Sequence, residues 1–534
     1  MQSHTQTAAK TETKSSVTIH PAFAILGVLL GALTSVFTGR LLSIGLTEVQ
    51  GAIGASADYM SWVSTAYNAA NMFIGPITVF MGALLGARRV LLWASVVFIL
   101  SEFLTPFFGQ YQVAFLILQT IAGLAAGTYY PLTFTIIIRN LPLRYIYLGI
   151  AVYALDILAS THIAHLVESF YMLNLSWQWI FWNALLVAPL LILSVYFGIP
   201  GQPLPEPKPG MSFWGFLYAS LGFTSLYIGL DQGERLGWSN SPLIVSFLVV
   251  GVFFLAIALI NRIRRPNKLL NLKFLRSKNF ILLGLVLIFF RFLLLEPTLL
   301  IPSYLQGLHD YKAEQIASVL AWIALPVMIF APCAGLFLYR MDSRLLCALG
   351  FAVVGVTSFF NSKLVPGWTG ENFVIPQIFT AAGLCLALAG LIATILRSAL
   401  GAGALKAPLN ILTLSCWMQT CRLFGAELGK SAMTHFLKLR GDFHFSTIAG
   451  RIDSGWLSEE RVKVLAENQI GGSSNLDEAL TRAAVHLSVS LKHQVSLLSL
   501  ADGFSFVAFV AALGLVAIGV LSWSPPLPTS NSKD

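Results

Sequence analysis

Charge is what this chain has least of. Only 11% of its 534 residues are Asp, Glu, Lys or Arg, against about 25% in an ordinary soluble domain. So few charges cannot cover a water-facing surface, and with 56% of residues hydrophobic the solvent along most of the length must be lipid. Cysteine is sparse as well. Cys333, Cys347, Cys385, Cys416 and Cys421 all fall inside apolar runs, which argues against a disulfide framework or a metal site. No short repeat recurs, so a channel built from small identical units is not suggested. There is no phosphate-binding loop, metal motif or nucleophile–base constellation, and hence no basis for a membrane enzyme. The net charge of +9 would suit nucleic acid, but the Lys and Arg sit in short loops between apolar stretches, where they report orientation in a membrane rather than a nucleic-acid partner.

What is present is a succession of long apolar runs. Crossing ~30 Å of hydrocarbon takes about 20 such residues, because each backbone N–H and C=O must be satisfied inside its own helix. Cutting at polar, Gly and Pro clusters predicts spans at 22–44, 58–80, 88–108, 113–139, 145–171, 177–198, 212–230, 241–262, 279–301, 314–339, 344–363, 373–397, 406–434 and 502–523. The fold class is therefore all-α integral membrane, with fourteen transmembrane helices. The first run is longer than a signal-peptide core and reads as a retained helix. With the N-terminus cytoplasmic, inner loops and tails hold nineteen basic residues, including Arg88, Arg89, Arg139 and Arg144, and the short outer loops hold three, Arg235, Lys312 and Lys363. That asymmetry sets the orientation and returns the C-terminus to the cytoplasm.

The Pro-rich stretch Pro203 to Pro209 is the natural seam after a first group of six helices. The expected division is a cytoplasmic tail 1–21, a six-helix half 22–198, a linker 199–278 with two added helices and a basic loop, a second six-helix half 279–524, and a tail 525–534. Within the second half, the polar segment 435–501 faces outward. Asn475 and Glu478 are spaced there like a capping box, so a helical hairpin is expected.

Several stretches carry a family resemblance. These are QGAIGASADYMSWVSTAYNAANMFIGPI (50–77), LDQGERLGWSNS (230–241), LLNLKFLRSKNF (269–280), LIPSYLQGLHDYKAEQIASVL (300–320), YRMDSRLLCALG (339–350) and CRLFGAELG (421–429). Jointly they resemble the fourteen-helix drug:proton antiporter branch of the major facilitator superfamily, the EmrB/QacA type, over about residues 45 to 524. The resemblance implies two six-helix halves plus two extra helices, secondary transport by alternating access, multidrug efflux and antiport driven by the proton gradient, and no other cofactor. It implies a small-molecule substrate, a plasma-membrane location of the bacterial inner-membrane kind, and room for a periplasmic adaptor protein as partner. The chain departs from the family at Phe37 and Thr38, where a Leu-Asp pair is usual, and at Ala83, where the loop motif has Asp. Gln119 replaces an Arg ahead of Gly123, and AHLVES (164–169) replaces a Gly/Pro motif. A transport-inactive relative, acting as receptor or docking platform through 435–501, is the alternative that those departures suggest.

A charge at mid-bilayer costs about 2.5–3.5 kcal/mol on the mildest scale, so each needs an interior partner or a wet cavity. The candidates for the substrate or proton pathway are therefore Arg40, Glu102, Gln119, Asp156, His162, His165, Glu168, Arg291, Glu296 and Arg422. Arg40 and Glu296 lie at similar depth, so a fixed Arg40–Glu296 pair at the outer mouth competes with a substrate or proton site. His162, His165 and Glu168 are three apart along one drifting helical face, suited to passing a proton or to packing as a polar seam. Arg422 and the i,i+3 pair of Glu427 with Lys430 read as structural. Arg40 and Arg291 tip the local balance positive, which favours neutral or anionic amphipathic substrates.

Overall fold

The computed structural model describes residues 21–140, 146–199, 213–264, 274–403, 408–453, 464 and 476–522. These form fourteen long helices: α1 Pro21–Ile53, α2 Ala57–Leu85, α3 Ala87–Leu104, α4 Gln112–Asn140, α5 Ile146–Asn174, α6 Trp179–Gly198, α7 Phe213–Leu236, α8 Pro242–Arg264, α9 Lys278–His309, α10 Ala313–Phe337, α11 Ser343–Asn361, α12 Val374–Gly401, α13 Pro408–Asp453 and α14 Leu476–Gly519. Each predicted span falls on one of them. Thirteen are long and apolar enough to cross a membrane. The exception, α13, carries Gln419, Arg422, Glu427 and Lys430, which lower its hydropathy. The Pro-rich seam and Asn475 of the expected capping box lie outside the described residues.

Without a hydrophobic drive between helices in lipid, close packing depends on small residues. A Cβ on Gly123 of α4 would come within 2.2 Å of the Tyr67 carbonyl oxygen of α2, and one on Gly127 within 2.5 Å of the Asn71 carbonyl oxygen. The second half repeats the device: Gly350 of α11 abuts the backbone of α12 at Ala387, and Gly390 of α12 abuts α11 at Cys347. The appended pair interlocks through Gly222 and Gly229 of α7, which receive Leu255 and Leu248 of α8. Beyond α7, helix α8 turns outward, with Val249, Val252, Phe253 and Leu259 about three-fifths exposed.

The α2–α3 turn needs Gly86, whose φ of 82° lies in the region that costs a side chain about 1 kcal/mol or more. Arg88 follows it, donates to the Tyr196 carbonyl at 2.9 Å and lies 4.9 Å over that ring. At the corresponding turn of the second half, Asp342 caps α11 by accepting from the Arg344 N–H at 2.9 Å and pairs with Arg397 of α12 at 3.3 Å. Burial pushes the Asp342 carboxyl up, but the Arg344 N–H and the guanidinium groups of Arg344 and Arg397 together hold it below the usual carboxylate range. The acid missing at Ala83 is thus present in the other half. These residues define a basic end of the bundle.

At the opposite end α13 and α14 run well beyond the predicted limits of 434 and 502. They pack antiparallel, with Arg440 and His444 of α13 donating to Asp502 of α14 at 2.6 and 2.7 Å. From Lys430 to Asp453 the helix extends for about 34 Å at 1.5 Å per residue. The described parts of the polar segment are thus helical rather than coil, and 454–463 and 465–475 lie outside the described residues.

Candidate functional site

The helices α1–α6 and α9–α14 meet directly toward the basic end. Gly335 of α10 packs on Ala151 of α5, and the rings of Tyr147 and Tyr339 lie 5.0 Å apart, edge to face. The Thr135 and Ser415 hydroxyls are 2.9 Å apart, joining α4 to α13. Deeper in, Gln419 of α13 donates to Asn71 of α2 at 3.1 Å, and Arg422, held to the Gln419 carbonyl at 2.9 Å, lies 4.2 Å over the ring of Tyr130 on α4. Arg422 therefore joins the two halves and is not merely a feature of its own helix.

Toward the hairpin end α7 adds a further link. Asp231 accepts from Thr65 of α2 and from Lys430 of α13, the latter at 2.7 Å. Gln232 bonds Ser61 and Thr65, and Arg235 pairs with Asp58. Glu234 takes His435 and Lys438 of α13 at 2.8 and 3.0 Å. Lys430 also lies 3.8 Å from Glu427, so the expected i,i+3 pair forms but is secondary to Asp231. The sequence reading placed Asp231 in a family turn and missed it as a buried acid; its position, five residues before the end of an apolar helix, was the available signal.

Between these two levels lie the predicted residues of α1, α5 and α9. Arg40 is deep in the protein and within electrostatic reach of His162 and His165 on α5. Arg291 of α9 packs along α13, since a Cβ on Gly425 would sit 3.5 Å from its Cγ, and it feels the charges of both Arg422 and Arg40. Arg40 and Arg291 nevertheless keep part of their surface open. The Nε atoms of Arg40 and Arg291, both ring nitrogens of His162 and Nε2 of His165 are buried without a hydrogen-bond partner. Asp156 lies on the same helix as the histidines, near Ser160 and within reach of Arg422.

The expected Arg40–Glu296 pair does not form. Glu296 is 1% exposed and faces into its own half, where it accepts from Ser358 and from Asn361 of α11 at 2.7 Å and from Thr380 of α12 at 3.3 Å. The cause is the backbone. Pro297 removes a helical N–H and crowds the preceding turn, the chain from Glu296 to Leu300 relaxes into a π-turn, and α9 continues to His309 instead of ending at 301. Glu102 is likewise enclosed in the first half, with Gln119 donating to it at 3.5 Å and to Thr105 at 3.1 Å. Glu168, three residues beyond His165 on α5, lies against Gly45 of α1 and near Glu48. Among the described residues no group of three His, Cys, Asp or Glu could hold a metal.

A family model described as "Major Facilitator Superfamily" matches residues 28–429. The chain belongs to that superfamily. This major facilitator is 20% identical over 93% of its length to an uncharacterized MFS-type transporter, YhcA, of Bacillus subtilis, covering 92% of that protein. It is 25% identical over 66% of its length to the probable multidrug resistance protein EmrY of Escherichia coli K12, covering 68% of it. Among solved structures, the human organic anion transporter MFSD10 superposes with a TM-score of 0.55 at 13% identity, covering 93% of this chain and 98% of that one. At that identity the likeness concerns the fold alone: a multi-pass bundle of two six-helix halves.

Proposed function

We propose that this major facilitator is a proton-coupled exporter that carries amphipathic small molecules across the plasma membrane by alternating access, with both termini cytoplasmic. The observation that carries the reading is the arrangement between the halves. Direct small-residue and aromatic contacts close the basic end, ion pairs through α7 bridge the hairpin end, and a layer of ionisable side chains without protein partners lies between. Buried groups of that kind mark substrate and ion pathways in membranes, because fixed structural charges are normally paired. The distant relatives named as multidrug exporters support efflux, and the nineteen-to-three basic asymmetry supports the orientation. Protons would be carried by the buried carboxylates Glu296, Glu102, Asp156 and Glu168. The extended ends of α13 and α14 offer the surface on which a periplasmic adaptor would sit. Everted vesicles or proteoliposomes holding the protein and a pH-sensitive dye test the reading: candidate solutes should dissipate an imposed pH gradient. Absence of coupled flux across a broad panel would favour a transport-inactive docking platform instead.

A further inference from the structure

We propose that Arg40, His162, His165 and Arg291 form the seat for the head group of an amphipathic organic anion, a carboxylate or its equivalent, gripped by both halves at once. The inference rests on the transporter reading above and names the substrate class of its central site. Arg40 comes from α1, the two histidines from α5, and Arg291 from α9, so both halves contribute, and Arg40 lies within electrostatic reach of the histidines and of Arg291. Their nitrogens Arg40 Nε, His162 Nδ1 and Nε2, His165 Nε2 and Arg291 Nε have no partner although buried. A buried donor, and still more a buried guanidinium, is costly unless an acceptor completes it.

The acids that could complete them are held elsewhere. Glu296 is enclosed by Ser358, Asn361 and Thr380. Glu427 and Asp231 share Lys430, which itself lies within reach of Arg40 and adds to the positive field. Asp156 is close to Arg422, whose guanidinium is already held by Gln419 and stacked on Tyr130. Near the arginines the local balance is two guanidinium groups with no paired carboxylate among the described residues. An anion supplies the missing charge, and Arg is the side chain whose fork fits a carboxylate at two points. Ile288, one turn from Arg291 on α9 and packed on Gly425 of α13, supplies apolar surface beside it. A cation placed here would meet like charge on both sides.

The test uses the full chain in lipid nanodiscs and three probes of one shape: 1-naphthoate, 1-naphthamide and (1-naphthylmethyl)trimethylammonium, titrated by calorimetry. A bond to a charged group exceeds a neutral one by enough for the carboxylate to bind about tenfold or more tighter than the amide. Arg40→Gln and Arg291→Gln should each erase that preference, bringing the carboxylate's affinity down to the amide's, and Arg40→Lys should restore part of it. The wild-type comparison stands even if a variant fails to fold. Equal binding of carboxylate and amide, tighter binding of the ammonium, binding of none of the three, or a preference that survives both Gln variants in folded protein overturns the proposal. Proteoliposome flux separates this from the transporter reading. Gradient-driven movement of the ammonium without anion preference keeps the transporter and removes the anion seat. Selective naphthoate binding with no flux of any solute keeps the seat and removes the transporter.

Discussion

Glu296→Gln is the perturbation from which the proposed coupling is most directly read. The carboxylate accepts from Ser358, from Asn361 at 2.7 Å and from Thr380 at 3.3 Å. Hydrogen bonds to a charged group contribute about 1.5–3 kcal/mol against about 0.5–1.5 for neutral pairs, so losing the charge at the two close donors costs about 2–3 kcal/mol if the group is ionised in the resting protein. Part of that is recovered, because Asn361 Oδ1 is buried without a partner. The new glutamine can accept from Asn361 Nδ2 and donate back to Oδ1, an amide pair that the carboxylate could not make, and the Ser358 hydroxyl can rotate to accept. The variant should therefore fold, with a modest loss in unfolding temperature, and should lose only titration. In proteoliposomes, exchange of substrate at equal pH on both sides is expected to persist, while the response of efflux to an imposed pH gradient disappears. A folded Glu296→Gln protein that still couples efflux to the gradient would refute the assignment and move the proton to Glu102, Asp156 or Glu168.

Four further outcomes are expected. Asp231→Asn should lower the unfolding temperature more than Asp58→Asn, because Asp231 is 9% exposed and serves Thr65 and Lys430 (about 1–3 kcal/mol), whereas Asp58 is 80% exposed and its pair with Arg235 contributes about 0–1 kcal/mol; equal shifts would show that α7 is not a strut. Gly123→Ala should cost about 1–3 kcal/mol or more by forcing α4 off the Tyr67 backbone, while Gly51→Ala, which meets nothing within 4 Å, should be neutral in the same thermal assay. The Asp342 carboxyl is held low, so its contribution is present above the ordinary carboxylate pKa of about 4 and is lost as pH falls through its lower folded value; wild type should lose more stability between pH 6 and pH 3 than Asp342→Asn, and parallel curves would contradict this. A cysteine at exposed Ser446 should react with an impermeant reagent from outside and one at exposed Ser277 should not; the reverse pattern would invert the orientation.

Much of the site was legible because lipid makes charge conspicuous. Arg40, Asp156, His162, His165, Glu168, Arg291 and Glu296 stood out in apolar runs, and all are found deep between helices or within a half. Their partners were not legible. Depth along a helix can be counted at 1.5 Å per residue, but the direction in which a side chain points depends on a local rotation, and the π-turn at Glu296 changed that rotation and turned the carboxylate away from Arg40. Asp231 was missed for a related reason: an acid near the end of a span can be a loop residue or a buried strut, and only the neighbouring Thr65 and Lys430 distinguish the two.

By itself the sequence determined that the chain lives in lipid and has fourteen long helices, since backbone satisfaction in hydrocarbon demands one long apolar run per crossing and leaves composition little freedom. It also determined the grouping into six, two and six, through the family motifs and the matching helices on either side of the added pair. Tertiary structure alone decided which glycines let backbones meet, that α7 ties α2 to α13, and that α13 and α14 continue as paired helices where the apolar pattern stops. It alone decided that Glu102 and Glu296 are enclosed within their halves while the Nε atoms of Arg40 and Arg291 are left without a partner. Hydropathy is summed along one helix, whereas the pairing of charges depends on which faces of separate helices are brought together, and no single stretch of sequence contains that information.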